Sequence, residues 1–159
     1  MDVVIDTDIL STFVKTGKTR LLHRLFPKSR ILLCPSVLSE TSKAVKLGIL
    51  DSIPSSFASV ELTSSKRSLA KGIAARTALG AADIECLSVA RSRNCLMLSN
   101  DRHVGNETLS LGVEHLSLPL LLRELWKTGT LSKPDVAKLV DEIERKDRIV
   151  IKNKGLILK

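Results

Sequence analysis

The stretch Val-Val-Ile-Asp-Thr-Asp, residues 3–8, decides the fold that the sequence predicts. Its first three residues are β-branched and apolar, which is typical of a strand buried on both faces of a sheet. Asp6 follows directly, so we expect it at the carboxyl end of that strand. Four further short runs, apolar or alternating, are interpreted as strands at residues 31–34, 59–63, 95–99 and 113–117.

Helical patterns separate these strands. Leucines recur at helical spacing over residues 21–25, Pro35 can begin a helix, and helices are predicted over 65–79, 82–93 and 118–127. Ser132 and Pro134 begin a late helix, and residues 149–158 are predicted to be extended. This alternation predicts an α/β fold, a three-layer sandwich around a mostly parallel sheet of about five strands. We expect a single domain over residues 1–159, in which 130–159 form a C-terminal helix and an extended tail.

Composition restricts the function classes. The chain has 25 Lys and Arg against 17 Asp and Glu, a formal charge of +8, which favours a polyanion such as nucleic acid or serves solubility alone. Aromatic residues are only 3%, so base stacking on aromatic side chains is poorly supported. The three cysteines lack Cys-x-x-Cys spacing, which argues against disulfides or a zinc site. The sequence has no signal peptide and no membrane span, so we expect a cytoplasmic protein.

Four acidic residues lie where a parallel sheet places its ligands, beyond the carboxyl ends of strands. Asp6 and Asp101 follow predicted strands, Glu40 lies in the first turns of the helix after Pro35, and Asp83 opens another helix. Each acid alone could be a helix cap or a solvated residue. Four converging carboxylates would raise one another's pKa, a conflict that Mg²⁺ or Mn²⁺ removes. We therefore expect a metal site at which an activated water attacks a phosphodiester.

These segments together resemble the motifs of PIN-domain ribonucleases. Residues 3–8, VVIDTD, resemble the first motif, and residues 35–40, PSVLSE, are similar to the second. Residues 79–83, LGAAD, resemble the third motif, and residues 96–101, LMLSND, resemble the fourth. The four motifs occur in the family's order within residues 1–128, and their combination is more specific than any one of them.

The resemblance implies a metal-dependent endoribonuclease with a PIN-like, 5′-nuclease-like sheet. Asp6, Asp83 and Asp101 would bind Mg²⁺ or Mn²⁺, and Glu40 would complete the catalytic cluster or orient water. The implied substrate is RNA. Many relatives are VapC-type toxins of toxin–antitoxin pairs, and many form homodimers, so an antitoxin protein and a second copy of the chain are the implied partners.

Neighbouring polar residues are candidates for supporting or substrate-binding roles. Thr7 lies between the two acids of the first motif, and Ser99 could hydrogen-bond a carboxylate. Asp8 stands where many relatives have Asn, and we interpret it as a helix cap rather than an extra acid near the metal. His103 is close to Asp101 and is a candidate for substrate contact, although a surface role is the favoured interpretation. Glu85 is expected on the opposite side of its helix from Asp83.

Two alternative functions follow from the same residues. Asp6 and Asp8 after an apolar strand fit a haloacid-dehalogenase-like phosphatase, but Leu10 stands where that family expects Thr or Val. A non-catalytic basic RNA-binding or antitoxin-like protein would use the acids only as helix caps. Dependence on Mg²⁺ or Mn²⁺ distinguishes the nuclease from this second alternative.

Overall fold

A computed structural model describes all of residues 1–159 and shows one five-stranded sheet. The strands are β1 (Val3–Ile5), β2 (Ile31–Leu33), β3 (Ala58–Ser59), β4 (Leu96–Leu98) and β5 (His115–Leu116). Their order across the sheet is β3-β2-β1-β4-β5, and every pair is parallel. The predicted α/β sandwich with a parallel sheet is confirmed.

The middle strand, β1, is buried along its whole length. Val4 aligns with Leu32 of β2 on one side and with Met97 of β4 on the other. The chain builds β2 and β3 on one side of β1 and then crosses to the other side for β4. The gap between β1 and β4 is therefore the switch point at which parallel sheets bind ligands.

Nine helices connect and cover the strands. They are α1 (Thr7–Lys15), α2 (Thr19–Leu25), α3 (Pro35–Lys46), α4 (Ser64–Arg76), α5 (Ala81–Arg93), α6 (Arg102–Leu111), α7 (Leu118–Lys127), α8 (Lys133–Asp147) and α9 (Lys154–Ile157). Helix α5 lies against β1 and β4 and contacts α3, α4 and α6. Helix α7 contacts α2, α8 and α9, and α1 contacts α2, α3 and α8. None of these helices is long and apolar enough to cross a membrane.

Two predicted elements differ from the structure. The third strand was expected over residues 59–63, but β3 ends at Ser59, because β2 stops at Leu33 where Pro35 begins α3 and offers no further partner. The tail over 149–158 was expected to be extended, but it turns at Asn153 and forms the short helix α9. The Trp126 indole donates to the Ile157 carbonyl at 2.6 Å, which fixes that helix against α7.

Candidate active site

The switch point between β1 and β4 carries the first two predicted acids. Asp6 directly follows β1, and its backbone N–H donates to the Leu98 carbonyl at the end of β4. Asp101 lies three residues beyond β4. Because the two strands are adjacent and parallel, their carboxyl ends bring both acids to one edge of the sheet.

Asp6 is a buried carboxylate at the start of α1. Its Oδ1 accepts the Ile9 N–H at 2.8 Å, so Asp6 is the N-cap of that helix. Asp6 is only 4% exposed. Burial is the main reason that the pKa of Asp6 rises to about 7, and the nearby acids Asp8 and Asp83 raise it further. Hydrogen bonds from Ser99 and Ile9 lower this pKa but do not offset burial.

Asp101 is the N-cap of α6. Its Oδ1 accepts the N–H groups of His103 at 2.6 Å and Val104 at 3.3 Å, and no hydrogen bond engages its Oδ2. The Ser99 hydroxyl accepts the Asp101 N–H at 3.2 Å. It also lowers the pKa of Asp6, so it lies beside both acids. The His115 Nε2 donates to the Ser99 carbonyl at 2.8 Å and thereby holds this turn in place.

Asp83 and Glu40 approach the same edge from helices. Asp83 lies in the first turn of α5, and Glu40 lies on α3, where its Oε2 accepts the Thr7 hydroxyl at 2.5 Å. Partial burial, followed by the charges of Asp101, Asp8 and Glu40, raises the pKa of Asp83 to about 6. A cavity of about 120 Å³ joins these acids and is lined by Asp6, Thr7, Asp8, Glu40, Gly80, Ala82 and Asp83.

Asp8 belongs to this group of acids, and the interpretation of it as a helix cap is wrong. Asp6 provides the cap of α1, because the cap position is the residue before the helix and Asp8 already lies in its first turn. Burial, followed by the charges of Asp147, Glu40 and Asp101, raises the pKa of Asp8. Hereafter the acidic cluster means Asp6, Asp8, Glu40, Asp83 and Asp101.

The donor chemistry of the acidic cluster fits a hard divalent cation. All five side chains offer carboxylate oxygens, the ligands that Mg²⁺ and Mn²⁺ prefer, and no lysine or arginine lines the small cavity that joins four of them. No three acidic, histidine or cysteine side chains lie close enough to bind one ion in the arrangement observed. Three of these side chains could therefore bind one ion only after rotation, and Asp8, Glu40 and Asp101 are the exposed members of the cluster.

Two larger cavities flank the acidic cluster. One, of about 410 Å³, lies against α1 and α8 and is lined by Asp8, Ile9, Ser11, Thr12, Lys15, Asn100, Asp101, Leu118, Asp147 and Ile149. The other, of about 470 Å³, lies against α5 and α6 and is lined by Thr77, Ala78, Leu79, Gly80, Asp83, Asp101, His103, Asn106 and Glu107. Asp101 lines both, so the two cavities meet at the cluster. His103 is thus beside the acids, at the wall of the second cavity.

Asp147 is a site residue that sequence reasoning missed. It lies at the end of α8, and its two oxygens accept the Thr12 hydroxyl at 2.5 Å and the Lys15 ammonium at 2.6 Å. A sequence separation of 135 residues between Thr12 and Asp147 left no local signal for this contact.

Glu85 also has a specific role that was not expected, because its Oε2 accepts the Ser36 N–H at 2.7 Å and so satisfies the start of α3.

Comparison with known proteins identifies the family. The family model described as a PIN domain matches residues 2–156, nearly the whole chain. The chain belongs to the PIN-domain family. No curated protein matches it significantly. The predicted resemblance to the PIN-domain family is thus confirmed.

Two solved structures show the same PIN-domain fold. A PilT N-terminus domain protein from the hyperthermophilic archaeon Sulfolobus solfataricus is 19% identical, with a TM-score of 0.54, over 79% of this chain and 94% of its own. VapBC2 from Rickettsia felis, solved with a DNA fragment from its promoter, is 15% identical, with a TM-score of 0.56, over 74% of this chain and 98% of the matched chain. At these identities the likeness concerns the fold.

Membership of the PIN-domain family bears on the alternatives left open by the sequence. PIN domains are generally nucleases, and PIN nucleases are typically dependent on divalent metal ions. A haloacid-dehalogenase-like phosphatase is disfavoured, because a PIN-domain model accounts for residues 2–156.

Proposed function

We propose that this PIN domain is a metal-dependent endoribonuclease whose site is the acidic cluster. The observation that carries the proposal is the convergence of five carboxylates at the β1–β4 switch point. Uncompensated carboxylates are costly in a partly buried site. Their retention at one point of a basic chain is explained if they share a cation and face a polyanionic substrate.

Each residue of the acidic cluster has its own role in this proposal. Asp6, Asp83 and Asp101 would hold Mg²⁺ or Mn²⁺, and Glu40 would orient water, while Asp8 would add a fifth carboxylate beside the ion. Bound there, the ion would supply positive charge for the phosphodiester oxygens and acidify a water molecule. Ser99 holds the backbone of Asp101 beside Asp6, and Thr7 holds the Glu40 carboxylate.

A cavity on each side of the cluster supports internal cleavage of a chain. The volumes of about 410 and 470 Å³ lie within the range of pockets that enclose small ligands. A strand crossing the cluster would place one nucleotide in each cavity, with the reacting phosphate beside Asp101.

The test is cleavage of an internally labelled RNA by the purified protein with Mn²⁺, with Mg²⁺ and with EDTA. We expect internal products with either metal ion, and none with EDTA. The Asp83→Asn and Asp101→Asn variants should lose cleavage, because each removes a ligand charge without changing side-chain shape. The matched control is Asp51→Asn, an exposed acid outside all three cavities. Binding of RNA without metal-dependent cleavage would favour the non-catalytic alternative.

We also propose that the chain is the toxin of a toxin–antitoxin pair and forms homodimers. The support is family membership together with the structural similarity to VapBC2. Induced expression in a bacterial host should arrest growth, and the Asp83→Asn variant should not. Light scattering should give twice the chain mass. A housekeeping RNA-processing role would instead leave growth unaffected.

A further inference from the structure

Of the three cavities of the site, only the one against α1 and α8 is lined by a lysine or arginine side chain. That side chain is Lys15. Five carboxylates repel an approaching phosphodiester chain, and the cation that they share can neutralise only part of their charge. A phosphate that enters this site therefore finds one ammonium group, and that group lies in the cavity beside Asp8 and Asp101.

The position of Lys15 is fixed by the C-terminal part of the chain. Its Nζ donates to Asp147 Oδ1 at 2.6 Å, and the other oxygen of Asp147 accepts the Thr12 hydroxyl. An ammonium group has three donors, so two remain for a ligand in the cavity. The lysine side chain is 27% exposed and that of Asp147 is 11% exposed, which gives the lysine access to the cavity and keeps its partner covered.

We infer that Lys15 binds the RNA phosphate next to the one that is cleaved, and that Asp147 positions it for this contact; the inference rests on the proposed function. Lys15 is also close enough to Asp8 to lower the pKa of that acid, so it lies beside the cluster rather than at a distant surface. Helix α8 then contributes to the substrate site through Asp147. The other interpretation is that the ion pair only ties α8 to α1.

Binding measurements separate these interpretations without depending on cleavage. The probe is a fluorescent single-stranded RNA oligonucleotide, titrated with Mn²⁺ present into Asp83→Asn protein, which is expected to be inactive. We expect Lys15→Gln in that background to weaken binding about tenfold, as for loss of a charged hydrogen bond. The slope of log K against log salt should fall by about 0.7, the value for one phosphate contact on a single strand. Lys15→Arg should restore both.

The matched control is Lys18→Gln, which removes an exposed lysine three residues further on that lines none of the three cavities. Lys18→Gln should change affinity and salt slope less than Lys15→Gln does. Asp147→Asn should keep the salt slope, because the ammonium charge remains, but should raise KM in the otherwise wild-type enzyme. For Lys15→Gln in that enzyme, KM should rise more than kcat falls, as expected when substrate binding is lost.

The outcomes keep the two proposals apart. If Lys15→Gln and Lys18→Gln give the same affinity and the same salt slope, the assignment of Lys15 is overturned even if the wild type cleaves RNA. A lower Tm for both Lys15→Gln and Asp147→Asn, with an unchanged salt slope, would show a structural tie alone. If the wild type fails to cleave RNA, the proposed nuclease function fails, and the binding data still decide the role of Lys15.

Discussion

Two aspartates at opposite ends of β1 have opposite surroundings. Asp2 precedes the strand, and its carboxylate pairs with Arg30 at 2.6 Å and with Arg93 at 3.5 Å. The hydrogen bond from Arg30 is the largest cause that lowers the pKa of Asp2. Asp6 follows the strand, is buried, and has acids as its charged neighbours, so its pKa rises to about 7. Three residues of β1 therefore separate a carboxylate whose charge is balanced by arginines from one whose charged neighbours are other acids.

The same contrast distinguishes two regions of the surface. A depression of about 600 Å³ between α2 and the loop after α7 is lined by Arg20, His23, Arg24, Pro27, Thr128, Gly129 and Thr130, with no acid among them. At the carboxyl edge, Lys15 is the one lysine or arginine among the residues that line the three cavities of the acidic cluster. Basic residues are plentiful in this chain, and their scarcity among these lining residues is what the proposed metal site would require.

The largest expected difference between the two aspartates is in catalysis. Asp6→Asn should lower kcat/KM for RNA by about 10³-fold or more, a loss at least as large as that for a single group that stabilises the transition state. Asparagine can still cap α1, so the fold should persist. Asp2→Asn should cleave RNA as the wild type does. Comparable activity in the two variants, measured as initial rates with Mn²⁺, would remove the functional distinction between the ends of β1.

The pH dependence of stability should carry opposite signs at the two positions. Asp6 has a raised pKa in the folded state, so the folded protein holds a proton that the unfolded chain releases above its ordinary pKa of 3.8. The metal-free protein should therefore lose stability as pH rises from about 4 to about 7, by up to about 4 kcal/mol from this group. Asp83, with a pKa of about 6, acts in the same direction.

Urea unfolding in EDTA between pH 4.5 and 8 measures this effect. Asp6→Asn should flatten the decline, because asparagine does not titrate, and should be more stable than the wild type at pH 8. An equal pH slope in the variant would mean that Asp6 is not the group responsible. Asp2, with a lowered pKa, contributes stability that is lost only as pH falls below 3.8, outside this window.

The sequence predicted the positions of the strand-end acids because the rule behind them is local. An acid that directly follows a buried parallel strand lies at the carboxyl edge of the sheet, and β1 and β4 are neighbours in that sheet. Asp6, Asp83, Glu40 and Asp101 lie at that edge as expected, although their catalytic and metal-binding roles stay predictions. The fold required only strand–helix alternation, which the apolar runs of the chain make clear.

Contacts between distant segments could not be predicted in the same way. Asp147 reaches α1 only because α8 docks across it, and no spacing in the sequence records that docking angle. The tail was predicted to be extended, yet Glu144 accepts the Ile151 N–H at 2.9 Å and pairs with Lys154 at 2.7 Å, close to where the chain turns into α9. Asp8 was misassigned because the sequence does not reveal whether Asp6 or Asp8 is the residue before the helix.

Addition of metal ion should stabilise the protein through one end of β1 only. A ligand at 100 times its Kd stabilises the native state by about 2.7 kcal/mol, which for a chain of this size raises Tm by roughly 5–10 °C. We expect this shift with Mn²⁺ at pH 8 in the wild type and in Asp2→Asn. It should be much smaller in Asp6→Asn. A scan of each protein with Mn²⁺ and with EDTA gives the comparison, and equal shifts in all three would place the ion elsewhere.

The smallest expected effect is that of Asp2 on stability. Its carboxylate is partly exposed and pairs with arginines at the surface, and such pairs contribute about 1 kcal/mol or less. Asp2→Asn should therefore lower the free energy of unfolding at pH 7 by no more than that, and the loss should shrink in 1 M salt, which screens exposed charges. Arg30→Gln removes the same pair from its other side and should cost about as much, with little further loss in the double variant. Asparagine keeps an oxygen that can accept the Arg30 N–H, observed at 3.2 Å, so a much larger cost would show that the pairing with the arginine side chains contributes more than an exposed ion pair does.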